Sequence, residues 1–162
     1  MATLHDFEVR AIDGQSQALR DYAGRALLVV NVASRCGLTP QYSALEALQQ
    51  RFRNRNFSVL GFPCNDFAGQ EPGTDAEIKA FCDTRYQVSF PLFSKLHVKG
   101  PEQAPVYAFL TQQQSAPDGP GEVSWNFAKF LVGGDGKVLA RFSPATKPDA
   151  PELISAIEQA IG

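Results

Sequence analysis

The apolar residues of this chain alternate between strand-length runs and helical stripes. Leu27–Val32 (LLVVNV) and Phe57–Phe62 (FSVLGF) are runs of the kind a sheet buries on both faces. Between them, Tyr42, Leu45, Leu48 and Phe52 recur at helical spacing and predict a helix over Pro40–Phe52, with Thr39 as N-cap and Pro40 as its first residue. Strand, helix and strand make a βαβ unit, so these two strands run parallel with a right-handed crossover. Thr74, with Glu77 three residues on, forms a capping box that opens a second helix carrying Ile78, Phe81, Cys82 and Tyr86. A short extended segment is expected within Phe90–Val98, a helix over Pro105–Gln113, and a last helix over Pro151–Ile161 whose Leu153, Ile154, Ile157 and Ile161 share one face. Trp125–Val132 and Lys137–Phe142 flank Gly133-Gly134-Asp135-Gly136 and read as an antiparallel hairpin. At the start, Leu4–Val9 and the turn around Asp13-Gly14 predict a smaller hairpin, with His5 on its first strand as a structural residue.

The order hairpin, βα, βα, helix, ββ, α predicts an α/β protein with a thioredoxin-like fold: a central mixed β-sheet flanked by helices, with an N-terminal β-hairpin. With 162 residues, 44% of them hydrophobic, the chain is expected to form a single domain over 1–162. The loop Ser115–Gly121 is too short to link two domains.

Charge narrows the partners. A formal net charge of −2 and a pI near 5.7 supply no basic field for nucleic acid. The N-terminus shows no basic segment followed by an apolar one, and no stretch approaches the roughly 18 apolar residues of a membrane span. A cytoplasmic protein without an integral membrane segment is the expectation. Arg51, Arg53 and Arg55 sit where a helix ends, and there the macrodipole favours cations without any ligand.

Three cysteines are an odd number for a disulfide scaffold, and none stands in the clustered Cys/His spacing of a metal site, so no metal is expected. Cys36 lies in the turn Ala33–Thr39 between a buried strand and a helix, among Ser34, Arg35 and Gly37. Unpaired N–H groups at a helix start favour thiolate over thiol, which makes Cys36 a candidate nucleophile. Thr39 occupies the place a second cysteine would take in C-x-x-C, so chemistry at this turn starts from one thiol. The loop Pro63–Gly73 (PCNDFAGQEPG) follows the second strand and belongs at the same sheet edge, where open α/β sheets bind ligands.

Three blocks, NVASRCGLTPQY around Cys36, FPCNDFAGQEPG over 62–73, and WNFAKFLVGGDGKVLARFSP over 125–144, occur in an order in which the chain resembles the glutathione peroxidase family along nearly its whole length. The resemblance implies a peroxidase in which Cys36 attacks the peroxide, with Gln70, Trp125 and Asn126 completing the catalytic set. These three are neutral donors that can steady a thiolate or a departing oxygen without changing charge. No cofactor is implied, because sulfur itself carries the redox change. A sulfenic acid on Cys36 must be resolved by another thiol before overoxidation, and the chain offers Cys64 and Cys82. In members that use thioredoxin the resolving cysteine lies in an F/Y-C segment like Phe81-Cys82, so the resemblance favours Cys82, with local unwinding of its helix to bring the two thiols together. Cys64 belongs to the FPCN motif and reads as packing. The implied partners are a hydroperoxide substrate, hydrogen peroxide or an organic and even lipid one, and thioredoxin as reductant. Direct reduction by glutathione and a peroxide-sensing relay are the alternatives. The insertion that tetrameric members carry before the W-N-F block is missing, which implies a monomer. Asp66 and Ala68 depart from the family pattern, at positions outside the catalytic set.

Overall fold

The computed structural model describes residues 2–162, and in them the chain forms six strands and four α-helices. β1 (Glu8–Arg10) and β2 (Ser16–Ala18) pair as the N-terminal hairpin. His5 lies just before it, in a 3-10 turn over Leu4–Asp6, so the expected longer first strand is shorter by those residues. The main sheet has the order β4-β3-β5-β6. β3 (Ala26–Val32) runs parallel to β4 (Phe57–Pro63) and antiparallel to β5 (Lys129–Val132), which pairs antiparallel with β6 (Val138–Phe142). This is the mixed, helix-flanked sheet of the thioredoxin-like fold.

β3 and β4 are buried along their whole length because both faces of the sheet are covered. Side chains alternate across a strand, so one core collects Leu28, Val30, Val32, Phe57 and Val59 and the other Leu27, Val29, Leu60 and Phe62. The first core receives Tyr42, Leu45, Leu48 and Phe52 of α1 (Gln41–Phe52), together with Leu153 and Ile157 of α4 (Pro151–Ile161). The second receives Val106, Tyr107, Phe109 and Leu110 of α3 (Pro105–Gln112). Each fully buried Leu or Phe contributes roughly 1.5–3 kcal/mol, so the stripes read from sequence stabilise both layers.

Beyond β4 the 91–96 segment covers the strand's outer edge: the Gly61 N–H donates to Pro91 O at 3.0 Å and the Phe93 N–H to Gly61 O at 3.0 Å. The expected extended segment is therefore present only as isolated bridges, Gly61 with Leu92 and Ala11 with Phe93. A Cβ at Gly61 would lie 3.0 Å from side-chain carbons of both Leu92 and Phe90, tighter than ordinary packing.

The strand expected from Trp125 starts only at Lys129. Asn31, fully buried in the middle of β3, accounts for the delay. Its backbone carbonyl accepts from the Phe127 N–H at 2.6 Å, its side-chain oxygen from the Ala128 N–H at 3.1 Å, and its amide donates to Trp125 O at 3.2 Å. These contacts hold Phe127 at a φ of +69°, a conformation costly for a bulky residue.

Candidate active site

The Cys36 turn is built around Thr39. Its hydroxyl donates to Ala33 O at 2.7 Å and accepts from the Cys36 N–H at 2.9 Å. That hydroxyl does not cap α1, as the sequence predicted; Pro40 takes the N-cap place and the helix begins at Gln41. Closing the turn is the better use of a buried hydroxyl, because Cys36 would otherwise keep an unpaired N–H. The Leu38 N–H in turn donates to Cys36 Sγ at 3.3 Å, so the sulfur sits against a backbone dipole that can steady charge on it. Cys36 is buried, with 7% of its surface still open to solvent.

The 63–73 loop lies against this turn. The Arg35 N–H donates to Gln70 O at 3.1 Å, and the Ser34 hydroxyl donates to Glu71 Oε1. Ala68 and Gly69 adopt φ of +55° and +62°, a double left-handed bend that delivers Gln70 toward the third block. There the Asn126 amide donates to Gln70 Oε1 at 3.1 Å. Trp125 is half-buried, stacks at a tilt on Phe67 with ring centroids 5.4 Å apart, and packs against the core that contains Cys36. Gln70, Trp125 and Asn126 thus gather beside the Cys36 turn. Among the described residues, the hydrogen bond that reaches Sγ comes from the Leu38 backbone; none comes from these three side chains.

Glu71 is fully buried with Oε2 unpartnered. Burial raises its carboxyl above the usual range, and the Ser34 hydrogen bonds only partly oppose this. Lys95 braces the same loop from its backbone side, donating to Glu71 O at 3.0 Å and Gly73 O at 2.6 Å. Lys129 is buried under the 143–146 loop and donates to Pro144 O at 2.9 Å and Thr146 O at 2.5 Å. Burial pulls its ammonium down to about 7, while those carbonyls favour the charged form.

The remaining cysteines lie on opposite sides of the sheet. Cys82 is fully buried in the core that holds Cys36, at the end of α2 (Asp75–Phe81), where the helix loosens into a π-turn over Cys82–Tyr86 and stops at Gln87 with φ +49°. The predicted Thr74–Glu77 capping box is present at the other end. Burial pushes the Cys82 thiol up to about 11, a rise that the facing Tyr42 hydroxyl eases but does not cancel. Their contact falls short of regular hydrogen-bond geometry. Cys64 is fully buried in the other core, beside Phe62 and Tyr107, and burial pushes its thiol up to about 12. None of the three cysteines is joined in a disulfide. Among the described residues no cluster of His, Cys, Asp or Glu is arranged to hold a metal ion, and no helix is long and apolar enough to cross a membrane.

Sequence reasoning missed Asn31, Thr39 in its turn-closing role, and the Leu38 N–H. Asn31 left a signal, a lone amide inside the apolar run LLVVNV; the Leu38 contact left none, because it is a backbone group.

A lone thiol in the turn ahead of the first long helix, on this sheet, places the chain among thiol oxidoreductases of the thioredoxin fold. Solved structures agree. The crystal structure of T. cruzi GPX1 superposes with a TM-score of 0.79 at 32% identity, over 99% of this chain and 97% of that one. A thioredoxin-family thiol:disulfide interchange protein from Chlorobium tepidum, at 18% identity and a TM-score of 0.68, shares the fold over 96% of this chain and 93% of its own. The family model for glutathione peroxidase matches residues 4–111. The hydroperoxy fatty acid reductase gpx1 of Synechocystis sp. is 49% identical over 97% of this chain and 95% of its own, and the thioredoxin/glutathione peroxidase BtuE of Escherichia coli 46% over 94% of each. The chain belongs to the glutathione peroxidase family, and it is a peroxidase.

Proposed function

We propose that the protein is a thioredoxin-dependent thiol peroxidase acting on hydrogen peroxide and organic hydroperoxides, including those of fatty acids. The Cys36 thiolate attacks the terminal peroxide oxygen, the O–O bond breaks, and the departing oxygen takes a proton to leave as alcohol or water. Gln70, Trp125 and Asn126 supply hydrogen bonds where charge builds on that oxygen. The Cys82 thiol then attacks the Cys36 sulfenic acid, giving a Cys36–Cys82 disulfide and water, and a dithiol of thioredoxin reduces the disulfide.

The observation that carries this reading is the shared core of Cys36 and Cys82, set against Cys64 beyond the sheet. The π-turn beginning at Cys82 is a stretch of weaker helix, suited to the unwinding that disulfide formation requires. The names of two relatives support the substrate and the reductant: one is a hydroperoxy fatty acid reductase, the other a thioredoxin/glutathione peroxidase. The second name also supports glutathione as an alternative reductant. The chain works as a monomer in this reading, since it lacks an insertion before Trp125.

NADPH consumption coupled to thioredoxin and its reductase, compared with the glutathione system, tests the proposal. Turnover with thioredoxin at least about tenfold faster is expected. Equal or greater turnover with glutathione, unaffected by Cys82→Ser, would overturn the resolving role and the thioredoxin assignment together.

A further inference from the structure

His97 is half-exposed, yet it sits between two carboxylates: Nδ1 is 2.6 Å from Asp66 Oδ1 and Nε2 is 3.3 Å from Glu102 Oε2. The other oxygen of Asp66 accepts the Val98 N–H at 2.7 Å. His97 itself is anchored, because its carbonyl accepts the Ala104 N–H at the head of α3 at 2.8 Å, and the Leu96 N–H before it donates to Pro63 O at 3.0 Å. Two residues on from Asp66, Ala68 stands with a φ of +55°.

Phe67 lies between them. Its ring stacks on Trp125 and carries Lys99 Nζ 4.8 Å from its centroid on the 97–99 side, and its carbonyl accepts the Gln70 N–H at 3.2 Å. A left-handed Ala costs about 1–2 kcal/mol, so the bend persists only if both flanks are held. One flank is the Arg35–Gln70 backbone bond. The other is made by His97 and the Val98 N–H on Asp66 and by Lys99 on Phe67.

We propose that His97 is a positioning residue for the peroxidase reaction, holding through Asp66 the bend on which both Gln70 and Trp125 depend. The proposal rests on the reading of those two residues as participants in the chemistry. Its pH dependence follows from the same geometry. The groups facing His97 are Asp66 after β4 and Glu102 before α3, and Lys99 and Glu122 line the same shallow hollow. Charged, the ring donates to both Asp66 and Glu102; neutral, it keeps one N–H and gives up one of the two contacts. The hydrogen bond with Asp66 holds the ring charged to a pH above the usual 6.5. Below that midpoint the ring therefore bridges Asp66 and Glu102, and above it its one remaining N–H can hold either carboxylate but not both, so the bridge opens as pH rises.

Trp125 is the chain's single tryptophan, so its fluorescence reports this site alone. In the full-length protein a fluorescence transition with a midpoint above 6.5 is expected between pH 5 and 9, and it should survive Cys36→Ser, which removes any contribution from that thiol. His97→Gln should abolish the transition and lower kcat/KM for hydrogen peroxide about fivefold at pH 6, whereas His97→Lys, a permanent cation, should keep the low-pH fluorescence and rate across the range. Persistence of the transition in His97→Gln, or an undiminished peroxide rate in that variant, would overturn the proposal. The fluorescence arm involves no turnover, so it stands apart from any failure of the peroxidase mechanism itself.

Discussion

Cys36 and Cys64 follow adjacent parallel strands by four residues and one, and the environments they reach are opposed. β4 sends Leu60, Phe62 and then Cys64 to the α3 face, where the thiol has apolar neighbours and burial holds its proton. β3 ends at Val32, and the chain then turns through Ala33–Pro40, so Cys36 arrives at the head of α1 on the other face with an N–H aimed at its sulfur. Cys82 comes to that same face from the end of α2. Residue type is constant across the three; what differs is which side of the sheet the strand's alternation selects and whether a turn intervenes.

The sharpest way to break the comparison is to remove each thiol. Cys36→Ser should lower coupled peroxide turnover by at least about a thousandfold, whereas Cys64→Ser should leave it within about twofold. Cys64→Ser should instead appear in urea denaturation, where a hydroxyl buried among apolar groups costs about 1–3 kcal/mol. Large losses of turnover from both would erase the distinction.

Cys82→Ser should slow thioredoxin-supported turnover roughly a hundredfold while the first, stoichiometric oxidation keeps its rate, and excess peroxide should then drive Cys36 to the sulfinic acid seen by mass spectrometry. Thr39→Val tests the turn itself. It removes the acceptor of the Cys36 N–H and the donor to Ala33 O, and should cost about 1–3 kcal/mol of stability with a rate loss of about tenfold. Unchanged turnover in that variant would mean that the turn holds without its hydroxyl.

The smallest effect expected is electrostatic. Glu71 in the folded chain keeps its proton to a higher pH than in the unfolded chain. The unfolded state therefore loses its proton first, and stability falls as pH rises from the unfolded value toward the folded one, then levels off. Glu71→Gln should remove that fall, raising the urea midpoint at pH 8 and leaving it unchanged at pH 4. A loss at pH 8 would show that the buried carboxylate stabilises this loop.

Much of this was legible before the structure. Apolar runs of strand length and helical stripes pointed to the strands, the helices and their order, because burial on both faces of one sheet leaves few arrangements for that pattern. The family resemblance carried by three short blocks pointed to Cys36, Gln70, Trp125 and Asn126, and the fold sets Gln70 against both Asn126 and the Cys36 turn. Three things were hidden for physical reasons. Thr39 looked like a helix cap because a hydroxyl beside a helix start has two possible backbone partners, and local spacing does not choose between them. The late start of β5 depended on Asn31, a contact across nearly a hundred residues of chain. The side of the sheet on which each cysteine falls needed the register of β3 against β4, which pairs Val32 with Pro63 and so turns Cys64 away from Cys36.

The central claim is that Cys36 and Cys82 form the working pair and Cys64 stands outside it. Treating the fully reduced protein with one equivalent of hydrogen peroxide, blocking free thiols and mapping disulfides by peptide mass spectrometry tests it directly. The account predicts a Cys36–Cys82 disulfide with Cys64 recovered as the blocked thiol. A disulfide containing Cys64, or Cys82 recovered free while Cys36 is oxidised, would contradict it.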